Sequence, residues 1–322
     1  MLAVTVSAFD RTNPLAGLTV GEVRNPSPPD GWVRVRVAAA ALNHHDLWSL
    51  RGVGLRADHL PRILGCDAAG LDDDGNAVVV HGVIGDADAG RGDETMDPGR
   101  SLLSEKYDGA FAESVVVPAR NLVPKPAGLT FEEAACLPTA WLTAYRMIFT
   151  NSATRPGDTV LVQGGGGGVA TALIVLAKTA GRRVWVTSRS ERRRWQAVDL
   201  GADAAFEAGG RLPERVDAVF DSVGAATWAH SMRCLRPGGT IVTCGATSGD
   251  APSAELSRVF FQQLRVVGST MGSRVELVEL LRFLEVTGVR PIIDRVLPLA
   301  AAREGFAALE AGEVFGKVVF TV

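Results

Sequence analysis

The stretch Thr159–Gly181, TVLVQGGGGGVATALIVLAKTAG, decides the fold. TVLVQ reads as a short buried strand, and residues 168–180 carry the apolar run of a helix. Between them lies Gly165-x-Gly167-x-x-Ala170, a turn with small residues at set positions. The first glycine permits a tight turn, the second lets the backbone approach a pyrophosphate, and the small third residue lets the helix lie close on the strand. Free amides and the positive end of the helix dipole then face the phosphates. The bland alternative is a flexible loop that binds nothing. Five consecutive glycines are costly to order for packing alone, because each loses more backbone entropy than alanine. Gly165, Gly166, Gly167, Gly168, Val169 and Ala170 are therefore the expected dinucleotide cradle.

Working outward, RVWVTS (183–188) reads as a second strand and residues 191–200 as a basic helix. VDAVF, GTIVTC and LRVVGST supply three further strands. Strands alternating with helices imply βαβ units and a parallel sheet, the α/β Rossmann class. Cofactor choice is read at the end of the second strand, where an NAD enzyme usually places a carboxylate for the ribose hydroxyls. Here the chain runs Ser188-Arg189-Ser190-Glu191-Arg192-Arg193-Arg194. Serine and arginine donate to a 2′-phosphate, so Ser188, Arg189 and Arg192 predict NADPH as cofactor. Arg193 and Arg194 read equally well as a solvated helix face.

The first third is rich in valine, glycine and proline and reads as short strands and turns, with strands over 32–37 and 77–80. The DDDGN run at 72–76 is a turn rather than a metal site. Thr130 with Glu133 has capping-box spacing and opens an apolar helical run interrupted at Pro138. The end returns to the early style with a helix over 275–286, PIIDRVLPL, and the closing strand GKVVFTV. The partition expected is one mostly β domain from 1–122 and 273–322, with a nucleotide-binding unit from 123–272 set inside it. A net charge of -3 gives no broad field for nucleic acid or an anionic membrane, so a small-molecule partner is expected. Four cysteines without a C-x-x-C pair, no secretory leader and no run of about 20 apolar residues predict a reduced, cytoplasmic protein.

ALNHHDLWSLRG, LPRILGCDAAG, DGAFAESVVVP, LPTAWLTAYR, the glycine loop and the closing GKVVF together resemble the medium-chain dehydrogenase/reductase superfamily, especially its quinone-reductase-like members. The resemblance spans nearly the whole chain. It implies a Rossmann domain flanked by a GroES-like, mostly β catalytic domain, a cleft between them, and often a homodimer. Zinc members hold catalytic zinc through Cys, His and Cys with a nearby Glu. The matching positions here are Asn43, Cys66, Thr139 and Asp67, a poor donor set. No cysteine occurs between Gly82 and Gly109, where a structural zinc lobe would lie. His44, His45 and His59 are the remaining side chains able to complete a site, and the sequence reads as metal-free.

Without a metal, hydride addition to a carbonyl-conjugated alkene or a quinone is favoured, since neutral donors can stabilise the charge that develops. Asn43 is the expected donor and also the N-cap of a helix starting at His44. By the resemblance His45 occupies the proton-relay position, and imidazole ordinarily titrates near neutrality. Asp46 is expected to orient its neighbours. Trp48, Leu64 and Trp141 are candidates for an apolar substrate wall, and Thr143 and Tyr145 for a helix near the cofactor. The leading expectation is an NADPH-dependent reductase of quinones or activated alkenes. A metal-free carbonyl or alcohol oxidoreductase and a non-catalytic NADPH-binding redox sensor are the alternatives.

Overall fold

The computed structural model describes all 322 residues and divides the chain into two compact units, Met1–Leu142 with Met271–Val322, and Thr143–Thr270. The first unit is mostly β. Its main sheet runs in the order Leu122–Pro124, Ala77–Val80, Ala68–Asp72, Trp32–Ala41, Lys317–Thr321, Ile293–Pro298, with Ser114–Pro118 also pairing with Trp32–Ala41. Alternation along these strands buries Val35, Val37 and Phe320, and Phe111 from a loop and Phe306 from helix Ala302–Glu310 join them in one core. Phe111 stands edge-on to Phe320 at 5.2 Å and to Phe306 at 6.0 Å, an arrangement ring quadrupoles favour.

Register places the chemistry. Ala41 pairs with Val319 on one side, and its amide donates to the Asp67 carbonyl on the other. Lys317 and Asp67 therefore flank the point where the chain leaves the strand at Leu42–Asn43. Residues 123–142, expected in the nucleotide-binding unit, belong by their contacts to this first unit. Helix Phe131–Ala135, capped by Thr130 and Glu133 as the spacing predicts, buries Ala134 and Ala135 and packs on Trp32–Ala41 and Ala68–Asp72. Pro138 shows its effect as a π-helical turn over Leu137–Trp141.

The second unit is a six-stranded, wholly parallel sheet. In chain order it comprises β1 (Thr159–Gln163), α1 (Gly168–Thr179), β2 (Arg183–Ser188), α2 (Glu191–Asp199), β3 (Ala204–Glu207), β4 (Val216–Asp221), α3 (Ala225–Cys234), β5 (Leu235–Thr243) and β6 (Arg265–Gly268). The strand order is β3-β2-β1-β4-β5-β6. β3 escaped the sequence reading because AAFE carries no β-branched residue and only one large apolar one. No helix is long and apolar enough to cross a membrane.

Candidate functional site

Each unit presents one group of functional side chains. In the second unit the glycine turn joins β1 to α1. Gly164 has φ +81, the left-handed region that favours glycine, and the Gly164 and Gly165 amides both donate to the Thr187 carbonyl at 3.1 Å. A Cβ on Gly165 would meet Val186 Cγ1 at 2.5 Å, so glycine there is a packing requirement. A Cβ on Gly166 would meet Arg193 Nε at 2.8 Å, which places the Arg193 side chain against the loop. Gly167, the N-cap of α1, has no atom within 4 Å of its would-be Cβ and an extended backbone that any residue adopts. No protein neighbour demands glycine at 167. The space it leaves is where a phosphate can approach, and a dinucleotide fits this cradle. Gly168 and Val169 are half-buried beside it, and Ala170 is buried.

At the end of β2, Ser188 is buried and its Oγ accepts from the Ser190 amide at 3.3 Å. Arg189 and Arg192 are exposed, while Arg194 donates to the Ser188 carbonyl at 2.9 Å, so Arg194 is a structural strut rather than a solvated face. Glu207 is the register partner of Ser188 across the parallel β2–β3 pair and shares its face of the sheet. The sequence reading had no access to it, because β3 was not recognised as a strand. Thr143 is buried within helix Leu142–Arg146, and the Tyr145 ring stacks obliquely on Phe149 at 4.5 Å.

In the first unit, Asn43 caps helix His44–Leu50. Its amide NH donates to Asp46 Oδ2 at 2.9 Å, and Asp46 Oδ1 accepts the Gly65 amide at 3.0 Å. Asp46 thus ties the helix start to the strand exit near Leu64, and burial pushes its carboxyl up to about 7 against the two amide donors. The Asn43 side chain is fully engaged. Nδ2 donates to Asp67 Oδ2 at 2.8 Å and to the Ala41 carbonyl at 3.2 Å, and lies 3.9 Å from Cys66 Sγ. Oδ1 accepts from Lys317 Nζ at 2.6 Å, and Lys317 also donates to the Leu42 carbonyl at 2.7 Å and Asp67 Oδ2 at 3.3 Å. Asn43, Asp67 and Lys317 close a ring of three buried polar groups. Sequence reasoning missed Lys317; its one signal was a lysine just ahead of the apolar strand VVF.

Several expectations need correction. Asn43 has no amide hydrogen left over for a ligand. His45 does not titrate near neutrality: burial lowers it to about 4, leaving a neutral ring at pH 7, with Nε2 3.4 Å from Ser104 Oγ and 4.0 Å from Glu105 Oε1. Leu64 and Trp141 are completely buried and offer no surface to a substrate. Trp48 is half-buried, with the Arg51 guanidinium 5.4 Å from its ring centre. Thr139 is the half-buried member of the group, its hydroxyl 3.5 Å from Cys66 Sγ.

The same geometry tests the metal that the resemblance raises. The Asn43 oxygen is held by an ammonium, burial keeps the Cys66 thiol well above its ordinary range, and Thr139 offers a hydroxyl. Burial also raises Asp67, against the pull of Lys317. No three His, Cys, Asp or Glu side chains converge as a metal-holding group. This donor set does not fit a catalytic zinc, which wants three nitrogen, thiolate or carboxylate ligands and an open position.

Comparison with known proteins agrees with the architecture. The Alcohol dehydrogenase GroES-like domain family matches residues 29–127 and the Zinc-binding dehydrogenase family residues 168–286. A solved structure described as an NAD-dependent alcohol dehydrogenase superposes with a TM-score of 0.92 at 37% identity, covering 100% of both chains. A zinc-type alcohol dehydrogenase-like protein of Schizosaccharomyces pombe is 29% identical over 98% of this chain and 97% of its own. An acryloyl-coenzyme A reductase of Sulfurisphaera tokodaii is 28% identical over 95% of this chain and 97% of its own. A Rossmann sheet joined to a GroES-like β domain defines the class, and the chain belongs to the medium-chain dehydrogenase/reductase superfamily of oxidoreductases.

Proposed function

We propose that this protein is an NADPH-dependent reductase of quinones or carbonyl-conjugated alkenes that works without a catalytic metal. The observation that carries the reading is the Asn43–Asp67–Lys317 ring, a polar set closed on itself at positions where zinc members of the superfamily hold or flank their metal. Bound NADPH supplies the hydride. Gly165 to Ala170 hold its pyrophosphate, and Ser188, Arg189, Arg192 and Arg193 face its 2′-phosphate. Addition to an enone or quinone leaves delocalised negative charge, which a neutral hydroxyl can stabilise; a simple ketone becomes a full alkoxide and gains more from a metal. The donor role expected of Asn43 passes to Thr139, a half-buried residue whose hydroxyl would turn from Cys66 and Asp67 to the substrate oxygen while Asn43, Asp67 and Lys317 hold one another. His45, neutral at pH 7, offers a ring N–H rather than an imidazolium.

A second reading, a carbonyl or alcohol oxidoreductase, is supported by the 37% identity to a protein described as an alcohol dehydrogenase. Product analysis separates them. NADPH oxidation with an enone should yield the saturated ketone, with zinc far below one per chain in the same sample. Formation of the alcohol favours the second reading, and stoichiometric zinc at Cys66 overturns the metal-free assignment. We also propose that the protein works in the cytoplasm as a homodimer. β6 is an edge strand, and Val266 with Leu256, Phe260 and Phe261 of the preceding helix are exposed beside it, an unpaired apolar edge suited to a second copy.

A further inference from the structure

Beneath the glycine loop lies a buried polar network that the dinucleotide motif does not require. Gln163, the last residue of β1, is 1% exposed and accepts a hydrogen bond from the Thr187 hydroxyl. Its Nε2 lies 2.9 Å from His230 Nδ1 and 3.0 Å from Ser231 Oγ. The proton assignments follow one from another. Ser231 donates its single proton to Asp221 Oδ2 at 2.8 Å, so Ser231 must accept from Gln163, and the amide nitrogen must face α3. His230 Nδ1 is then an acceptor, and its Nε2–H donates to the Gly210 carbonyl at 2.8 Å. Asp221 in turn accepts the Val223 and Gly224 amides at 2.8 and 3.0 Å and the Thr227 hydroxyl at 2.8 Å.

One side chain therefore joins three turns at the same edge of the sheet. Thr187, whose carbonyl anchors the Gly164 and Gly165 amides, leads to Gln163. Gln163 leads through Ser231 to Asp221 and the turn after β4, and through His230 to the segment after β3. In parallel α/β sheets this edge is where ligands bind. We propose that Gln163 is a positioning residue for the nucleotide: it touches no ligand but fixes the relative placement of the loops that do. The inference rests on the reading that NADPH lies on the Gly165–Ala170 turn.

The test is NADPH affinity, read by nicotinamide fluorescence, alongside thermal unfolding. Gln163→Glu is nearly isosteric and keeps an acceptor toward Thr187, but turns both donors into acceptors facing His230 and Ser231. Gln163→Met removes all polar atoms at similar length. Thr187→Val cuts one arm. In each folded variant, well below its melting temperature, the Kd for NADPH should rise about tenfold to a hundredfold for the Gln163 changes and less for Thr187→Val, since preorganisation is lost. At saturating NADPH, kcat should stay within about twofold, because no reacting group moves. A folded Gln163→Glu protein whose Kd matches the unaltered protein overturns the proposal, as does lowered stability with unchanged affinity in the folded state. Failure of the unaltered protein to bind any nicotinamide nucleotide is a different result, and overturns the functional reading instead.

Discussion

Gly165 and Gly167 sit two residues apart in one turn, and the structure assigns them opposite reasons for being glycine. A Cβ on Gly165 would stand 2.5 Å from Val186 Cγ1, so Gly165→Ala overpacks the contact of the glycine loop with β2. Such overpacking costs about 1–3 kcal/mol. For a unit of about 130 residues unfolding on its own, an entropy of about 0.27 kcal/mol/K converts this to a melting point lower by about 4–11 °C. A Cβ on Gly167 meets nothing, and φ -78 with ψ 168 suits alanine. Gly167→Ala should fold normally, the gain from a narrower unfolded ensemble being offset by alanine's poorer fit at the N-cap of α1, so its melting point should stay within about 2 °C of the unaltered protein's. Its added methyl fills the space through which a pyrophosphate oxygen reaches the backbone amides, so NADPH affinity should fall at least tenfold, or about 1.4 kcal/mol. Differential scanning calorimetry and a fluorescence titration on the same samples read both effects. Unaltered NADPH affinity in Gly167→Ala, or equal loss of stability in the two variants, refutes the assignment.

Arg189→Ala should narrow the NADPH-over-NADH preference by about tenfold, the loss of one charge-assisted hydrogen bond, whereas Glu207→Gln should widen it by removing a carboxylate beside Ser188; equilibrium titration with both nucleotides measures each. Lys317→Met leaves Asp67 and the Asn43 oxygen buried without their cation and should cost about 3–5 kcal/mol in denaturant unfolding, much of it restored by the double change with Asp67→Asn. His45 has a folded-state value below its ordinary 6.5, so its contribution is present above pH 6.5 and lost as pH falls toward about 4. That loss amounts to at most about 3 kcal/mol, and His45→Gln should flatten the stability profile in this window. Phe260→Ser with Phe261→Ser should shift the protein toward monomer in analytical ultracentrifugation; an unchanged mass places the subunit contact elsewhere.

The second unit was largely legible in the sequence because its signals are local. A parallel strand buried on both faces is a continuous apolar run, a glycine turn announces itself by composition, and helix caps lie three residues apart. TVLVQ and RVWVTS therefore form strands over the residues read, and α1 begins at Gly168. Ala204–Glu207 was not legible, since a neighbour rather than its own propensity makes it a strand, and with it went Glu207 beside Ser188. The first unit's site depended still more on tertiary structure. Asn43, Cys66 and Asp67 were singled out by motif, but only the pairing of the C-terminal strand with Trp32–Ala41 carries Lys317 across 274 residues to the Asn43 oxygen. That contact orients the amide so that its hydrogens go to Asp67 and the Ala41 carbonyl, and Thr139 is the half-buried member of the group. Hydrogen-bond partners and burial are properties of register and packing, which no single stretch of chain encodes. What the sequence settled was most of which elements form; what folding decided was the strand a neighbour induces and which side chains remain free to act.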